Sequence, residues 1–112
     1  MTPEEIQAAR EWSARLMGKV IDNPGAPRWL QRFTDSTLVD DWRPDTDANQ
    51  CFMVVDRMAE LNYVFSLSRP SPTGLWEATF VDYPKAEKEF TKFSDNFKHA
   101  TIKAAMATGA GT

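Results

Sequence analysis

The stretch from Trp42 to Leu61 constrains this chain more than any other, because a heavily marked helix start leads into an apolar pattern of helical period. Apolar side chains fall at Ala48, Cys51, Phe52, Val54, Val55, Met58, Ala59 and Leu61, the three-and-four spacing that lays a broad stripe along one helix face. Pro44 biases Arg43 away from helical angles, while Asp45, Thr46 and Asp47 offer side-chain oxygens to the unpaired N–H groups of a first turn. Such a helix must lay its stripe on something, and the residues that follow supply it. Tyr63 to Ser68 alternates, with Tyr63, Phe65 and Leu67 on one face, and Leu75 to Val81 alternates again, bringing Trp76, Ala78 and Phe80 together. Between them Arg69-Pro70-Ser71-Pro72-Thr73-Gly74 is rich in turn formers, which predicts a β-hairpin with a loop of about six residues. So small a sheet needs helices on at least one face. Burying Val54, Val55, Met58 and Leu61 against Phe65, Leu67, Trp76 and Phe80 would contribute roughly 1.5 to 3 kcal/mol per large side chain.

The flanks add two more helices. Thr2, Pro3 and Glu5 form a capping box with proline at the first helical position. The stripe behind it is Ile6, Ala9, Ser13, Leu16 and Met17, with Trp12 at its edge and Gly18 as the stop. Asp22 to Pro27 is dense in turn formers, Trp29 to Phe33 suits a strand or a covered loop, and Thr34 to Asp41 is a polar connection apart from Leu38 and Val39. After Asp82-Tyr83-Pro84 breaks the second strand, the charged run Lys85 to Phe93 suggests a turn of helix or a mobile loop. Ser94-Asp95-Asn96 then caps a last helix carrying Phe97, Thr101, Ala104 and Ala105, which ends at Gly109 and leaves 109 to 112 loose. The expectation is a single α+β domain over residues 1 to 112. It is a layered helix–sheet–helix sandwich with a small antiparallel sheet of two to four strands and three main helices.

Charge and cysteine usage exclude several classes. A net charge of −3 disfavours nucleic acid and anionic membranes as main partners, since those affinities come from Lys and Arg neutralising phosphates. Lys85, Lys88, Lys92, Lys98, Lys103 and His99 are interleaved with Glu87, Glu89 and Asp95, the pattern of a solvated face. The single Cys51 cannot form an internal disulfide and sits on the apolar stripe, where it reads as a small core residue. No run of apolar residues is long enough to span a membrane, and Met-Thr-Pro-Glu-Glu does not read as a signal peptide, so the chain is expected to stay in the cytosol.

No catalytic constellation stands out. His99 is the only histidine, and spacing pairs it with neither a serine and an aspartate nor a cysteine. Asp45, Asp47, Asn49 and Asp56 occupy positions of a calcium loop, but Gln50 stands where that loop needs glycine. The apolar helix face at Cys51 to Val55 also forbids wrapping an ion, so these carboxylates read as helix caps. Neither a metal nor a cofactor is expected. Arg43 and Arg69, with the N–H groups at the start of the central helix, could hold a phosphate or carboxylate. Trp42 or Trp76 beside them would be a stacking or interface anchor. The candidate ligand- or partner-binding residues are therefore Trp42, Arg43, Asp45, Thr46, Asp47, Arg69 and Trp76.

Three segments carry a family resemblance. Arg15-Leu16-Met17-Gly18, closing the first helix before a Trp-containing irregular stretch, resembles the opening of the small phage proteins grouped as the phage ABA sandwich domain, with Lys19 where that family has Trp. Pro44-Asp45-Thr46-Asp47-Ala48 followed by Val54-Val55-Asp56-Arg57-Met58 is similar to the family's central segment, with Asp45 in place of Ser. Ala100-Thr101-Ile102-Lys103-Ala104-Ala105-Met106 is similar to its closing helix, with Lys103 at the basic position and no Cys. The resemblance implies a helix–sheet–helix fold, a phage or prophage origin and work in the cytoplasm of a bacterial host; it brings no catalytic residue. Two functions are then expected. One is an accessory binding protein that occupies a host protein, with countering a host defence as one such role; the other is a sponge for a nucleotide-like signal held by Trp42, Arg43 and Arg69. Self-association is compatible with either.

Overall fold

Residues 42 to 47 fold back on themselves before the central helix begins. In the computed structural model, which describes residues 1–69, 72 and 74–111, the backbone N–H groups of Thr46 and Asp47 donate to the Arg43 carbonyl at 3.0 and 2.8 Å. The helix, α2, spans Ala48–Glu60, and Asp47 caps it by accepting from the Gln50 N–H at 3.0 Å. The Gln50 side chain reaches back to the Asp41 carbonyl at 2.8 Å, so the turn and the helix start hold each other. The chain leaves α2 through Asn62 at a φ of 69°, a left-handed angle that asparagine tolerates.

The buried part of the α2 stripe is narrower than its apolar pattern. Cys51, Val54 and Met58 are fully buried and Val55 and Leu61 partly so, whereas Ala48, Phe52 and Ala59 face solvent. The rest of the core explains the difference. β1 (Tyr63–Ser68), β2 (Trp76–Asp82) and β3 (Glu89–Ser94) form an antiparallel sheet in the order β1-β2-β3. The last helix, α3 (Phe97–Ala107), covers β2 and β3 and leaves α2 to cover β1. The ribbon expected to lie under α2 is thus shared between two helices.

The α+β class, the small antiparallel sheet and the three main helices all match expectation. The layering is more specific. α2 and α3 lie against the sheet face that carries Phe65, Phe80 and Phe90, and α1 (Pro3–Leu16) packs on α2 and α3 without substantial contact with the sheet. Phe65 and Phe80 are register partners with ring centroids 4.9 Å apart. Alternation sends Val64, Ser66, Thr79, Val81, Thr91 and Phe93 to the other face, where none of the described helices packs.

Strand β3 corrects the reading of residues 85 to 93 as a helical turn or loop. The Asp82 side chain accepts from the Lys88 N–H at 2.9 Å and closes a tight turn, after which Phe90 pairs opposite Phe80. Thr91 pairs opposite Thr79, and their hydroxyls are 2.9 Å apart. Helical and strand preferences compete in this charged run, and pairing with β2 decides between them. The hairpin loop itself falls partly on Pro70, Ser71 and Thr73, which lie outside the described residues.

Helix α1 has the predicted capping box, with the Glu5 N–H donating to Thr2 Oγ1 at 3.2 Å and the Thr2 N–H to Glu5 Oε1 at 3.3 Å. Hydrogen bonding from the Thr2 backbone N–H, and then from its side chain, holds the Glu5 carboxyl below its usual range. Trp12 is not at the edge of the buried face but inside it, because its indole N–H finds the Ala110 carbonyl at 2.9 Å. That bond, with the Ala110 N–H donating to Thr108 Oγ1 at 3.1 Å, fastens Ala110 within the 109–112 stretch that the sequence reads as loose. The end of α1 is tied to α2 by Arg57 Nε, which donates to the Leu16 carbonyl at 3.1 Å.

Residues 19 to 41 are neither a strand nor a plain loop. The Asp22 N–H donates to the Arg32 carbonyl and the Thr34 N–H to the Val20 carbonyl, both at 2.9 Å, which folds the segment into a narrow arm. Isolated bridges join Ile21 to Phe33 and Arg32 to Leu38, and short 3₁₀ turns at Arg28–Leu30 and Val39–Asp41 pack on each other. Phe33 drives into the core, while Val20, Ile21, Trp29 and Leu30 remain exposed.

Candidate functional site

The seven residues singled out from the sequence separate into two groups. Trp42, Arg43, Asp45, Thr46 and Asp47 surround the start of α2, and Arg69 and Trp76 flank the loop between β1 and β2. A shallow cleft at the first group is lined by Asp41, Arg43, Thr46, Asp47 and Gln50, and includes neither Arg69 nor Trp76. Arg69 instead stands over the Trp76 ring, 5.8 Å from its centroid, and donates from Nε to the Gly74 carbonyl at 3.3 Å. Trp76 meets Phe97 edge-on at 5.9 Å. At the other group, Arg43 Nε donates to the Asp40 carbonyl at 2.6 Å, and the Thr46 hydroxyl donates to the Arg43 carbonyl at 3.4 Å.

Asp45 is a buried ion-pair partner, not a helix cap. It is 1% exposed and accepts from Arg10 Nε at 2.8 Å and Arg10 Nη2 at 2.9 Å, a bidentate pair from α1. Burial pushes its carboxyl upward, but the hydrogen bonds and charge of Arg10 outweigh that and leave it below the usual carboxylate range. Hydrogen bonding to Asp45 raises Arg10 in turn. Trp42 is equally committed. Its indole N–H donates to Ser13 Oγ at 2.9 Å, and the Ser13 hydroxyl donates to the Arg10 carbonyl at 3.1 Å.

Beside this anchor lies a cleft of about 290 Å³ that no single stretch of sequence announces. Arg10, Glu11, Ala14 and Arg15 reach it from one face of α1, Lys19, Ile21, Arg28 and Phe33 from the arm, and Val39, Asp40 and Trp42 from the return to α2. The Lys19 ammonium stands 5.0 Å from both the Phe33 and Trp42 ring centroids and pairs with Asp35 at 3.0 Å. Hydrogen bonds from Thr37, followed by Lys19, hold Asp35 down at about 2. Arg28 pairs with Asp40 through Nε at 3.1 Å. The one local signal was the helical spacing of Arg10 with Ala14 and of Glu11 with Arg15, which puts them on one face; the arm's approach could not be read from spacing.

The groups with nucleophilic or acid–base chemistry lie elsewhere. Burial pushes the Cys51 thiol up to about 11, which keeps it protonated at neutral pH. Burial, with the nearby terminal amine, also lowers His99, against the pull of Asp45. Among the described residues, no group of three or more His, Cys, Asp or Glu could hold a metal ion. No helix there is long and apolar enough to cross a membrane. Compared with protein-family models, curated proteins and solved structures, the chain matches none.

Proposed function

We propose that this chain is a small, non-catalytic binding protein of phage or prophage origin that occupies the surface of a host protein in the bacterial cytoplasm, with host defence proteins as the first targets to test. The observation that carries this reading is the arm of residues 19 to 41. It holds Trp29 at 69% exposure, with Leu30, Val20 and Ile21 exposed nearby in the same element. Apolar side chains presented to water on an ordered element mark contact sites, and Trp and Arg dominate the energetics of such contacts. Arg28 sits directly before Trp29. The arm spends few of its side chains on the core, so they are available to a partner.

The test is quantitative capture of a host protein by the intact chain, repeated with Trp29→Ala and, as a control, Val64→Ser on the open sheet face. A stoichiometric partner retained by wild type and by Val64→Ser, and lost by Trp29→Ala, supports the reading. Capture indifferent to Trp29 sinks the arm as the contact. A second reading, sequestration of a nucleotide-like small molecule, is favoured by the cleft beside Trp42, where cationic side chains surround apolar ones.

A further inference from the structure

We propose that the cleft between α1 and the arm binds a phosphomonoester carried on a planar or apolar body, a nucleoside monophosphate being the natural example. This rests on the second reading above and names the ligand class that the site would take. Four cations, Arg10, Arg15, Lys19 and Arg28, line the cleft together with two carboxylates, Glu11 and Asp40. Three of the cations are held in place by ion pairs: Arg10 with Asp45, Lys19 with Asp35, and Arg28 with Asp40. The pairing orients them without saturating Arg28, which among the described residues bonds only through Nε and keeps both terminal nitrogens for another acceptor.

Arg15 is different. Among the described residues its guanidinium has no side-chain hydrogen bond and no ion pair, although it lines the cleft. Arg15 and the terminal nitrogens of Arg28 are therefore the donors assigned to the anionic group. Counting Asp35 and Asp45, the four cations face four carboxylates, so the site is not built for a polyanion. A phosphomonoester carries about −1.5 to −2 charge, which the two arginines can meet. A triphosphate would bring its further charges against Glu11 and Asp40. The ligand body is assigned to Ala14, Ile21 and Val39, with the Lys19 ammonium closing the floor over Phe33 and Trp42. A volume of about 290 Å³ lies at the lower bound of ligand pockets, which favours a ligand of mononucleotide size over a larger one.

Calorimetric titration of the full chain with adenosine monophosphate, phenyl phosphate, inorganic phosphate, adenosine and adenosine triphosphate tests this, with melting temperature as a fold control. Adenosine monophosphate is expected to bind, with phenyl phosphate reporting whether any planar body suffices. Arg15→Gln or Arg28→Gln should weaken binding about tenfold or more at unchanged melting temperature, and Lys92→Gln, exposed on β3 and outside the cleft, should leave it unchanged. If inorganic phosphate, adenosine or the triphosphate binds as tightly as the monophosphate, the ligand class is wrong while the cleft still stands as a small-molecule site. If no probe binds at millimolar concentration, or binding is indifferent to both Arg15 and Arg28, the cleft reading itself is overturned.

Discussion

Trp42 and Trp29 both belong to the stretch between α1 and α2, yet the first is 5% exposed and the second 69%. Their local sequences do not explain the contrast, since Trp29 opens the more apolar stretch, Trp29 to Phe33, and Trp42 lies among Asp40, Asp41, Arg43 and Pro44. What separates them is the surface each one meets. Trp42 arrives where α1 offers Ser13 Oγ as an acceptor and the Arg10–Asp45 pair closes over the turn, so the ring is buried with its N–H satisfied. Trp29 sits on a 3₁₀ turn that packs against another 3₁₀ turn, and neither helix nor sheet covers it. A body held by α1, α2, α3 and the sheet therefore carries an arm whose folding depends on it but whose outer side chains do not serve it.

The contrast can be broken most forcefully at Trp42. Trp42→Ala removes a buried ring and its hydrogen bond, and should destabilise the protein by about 3–5 kcal/mol, measured by denaturant unfolding.

Next in size is the ion pair beneath it. Arg10→Gln strands the buried Asp45 carboxylate and should cost about 3–4 kcal/mol at pH 7. Asp45→Asn leaves a partly exposed guanidinium that water can reach, and should cost only about 2 kcal/mol. The pH dependence separates the two states of Asp45. In the wild type its folded pKa is lowered, so its contribution is full above the unfolded value of about 3.9 and is lost as pH falls through the folded value. In Arg10→Gln, burial, the largest influence on Asp45, is opposed only by the backbone hydrogen bond and the weaker pull of His99, and is expected to raise the folded value. Stability should then fall as pH rises from about 4 to 7, a reversed slope that unfolding curves would reveal.

The arm should respond more gently. Its amides, including those of Asp22 and Thr34, should exchange with solvent by local opening well before those of Val54 and Phe80, as native-state hydrogen exchange would report. Protection of the arm equal to that of the sheet would erase the distinction. The smallest stability change belongs to Trp29→Ala, expected within about 0.5 kcal/mol of wild type by denaturant unfolding. A loss of several kcal/mol there would mean that Trp29 serves the fold and not a partner.

Much of the architecture was legible because it is written in local patterns. The capping residues Thr2, Asp47 and Asn96 all accept backbone N–H bonds where the helices begin, and the alternation at 63–68 and 75–81 appears as the paired strands β1 and β2. Strand β3 was not legible, because Glu89 to Ser94 mixes charged and aromatic residues without a clean period. Within the candidate site, the importance of Trp42 and Asp45 was visible but their role was not. Asp45 looked like one of three available caps, and only the approach of Arg10, far away in the chain, shows that it is the ion-pair member of the group.

Taken alone, the sequence determined where helices start, which stretches alternate, and that the chain combines helices with a small antiparallel sheet, since these depend on neighbours within a few residues. Tertiary structure decided which helix covers which strand, that one sheet face stays open, and that α1 meets the arm to form a cationic cleft around Arg15 and Arg28. Those outcomes depend on contacts between segments distant in the chain, which residue spacing does not encode.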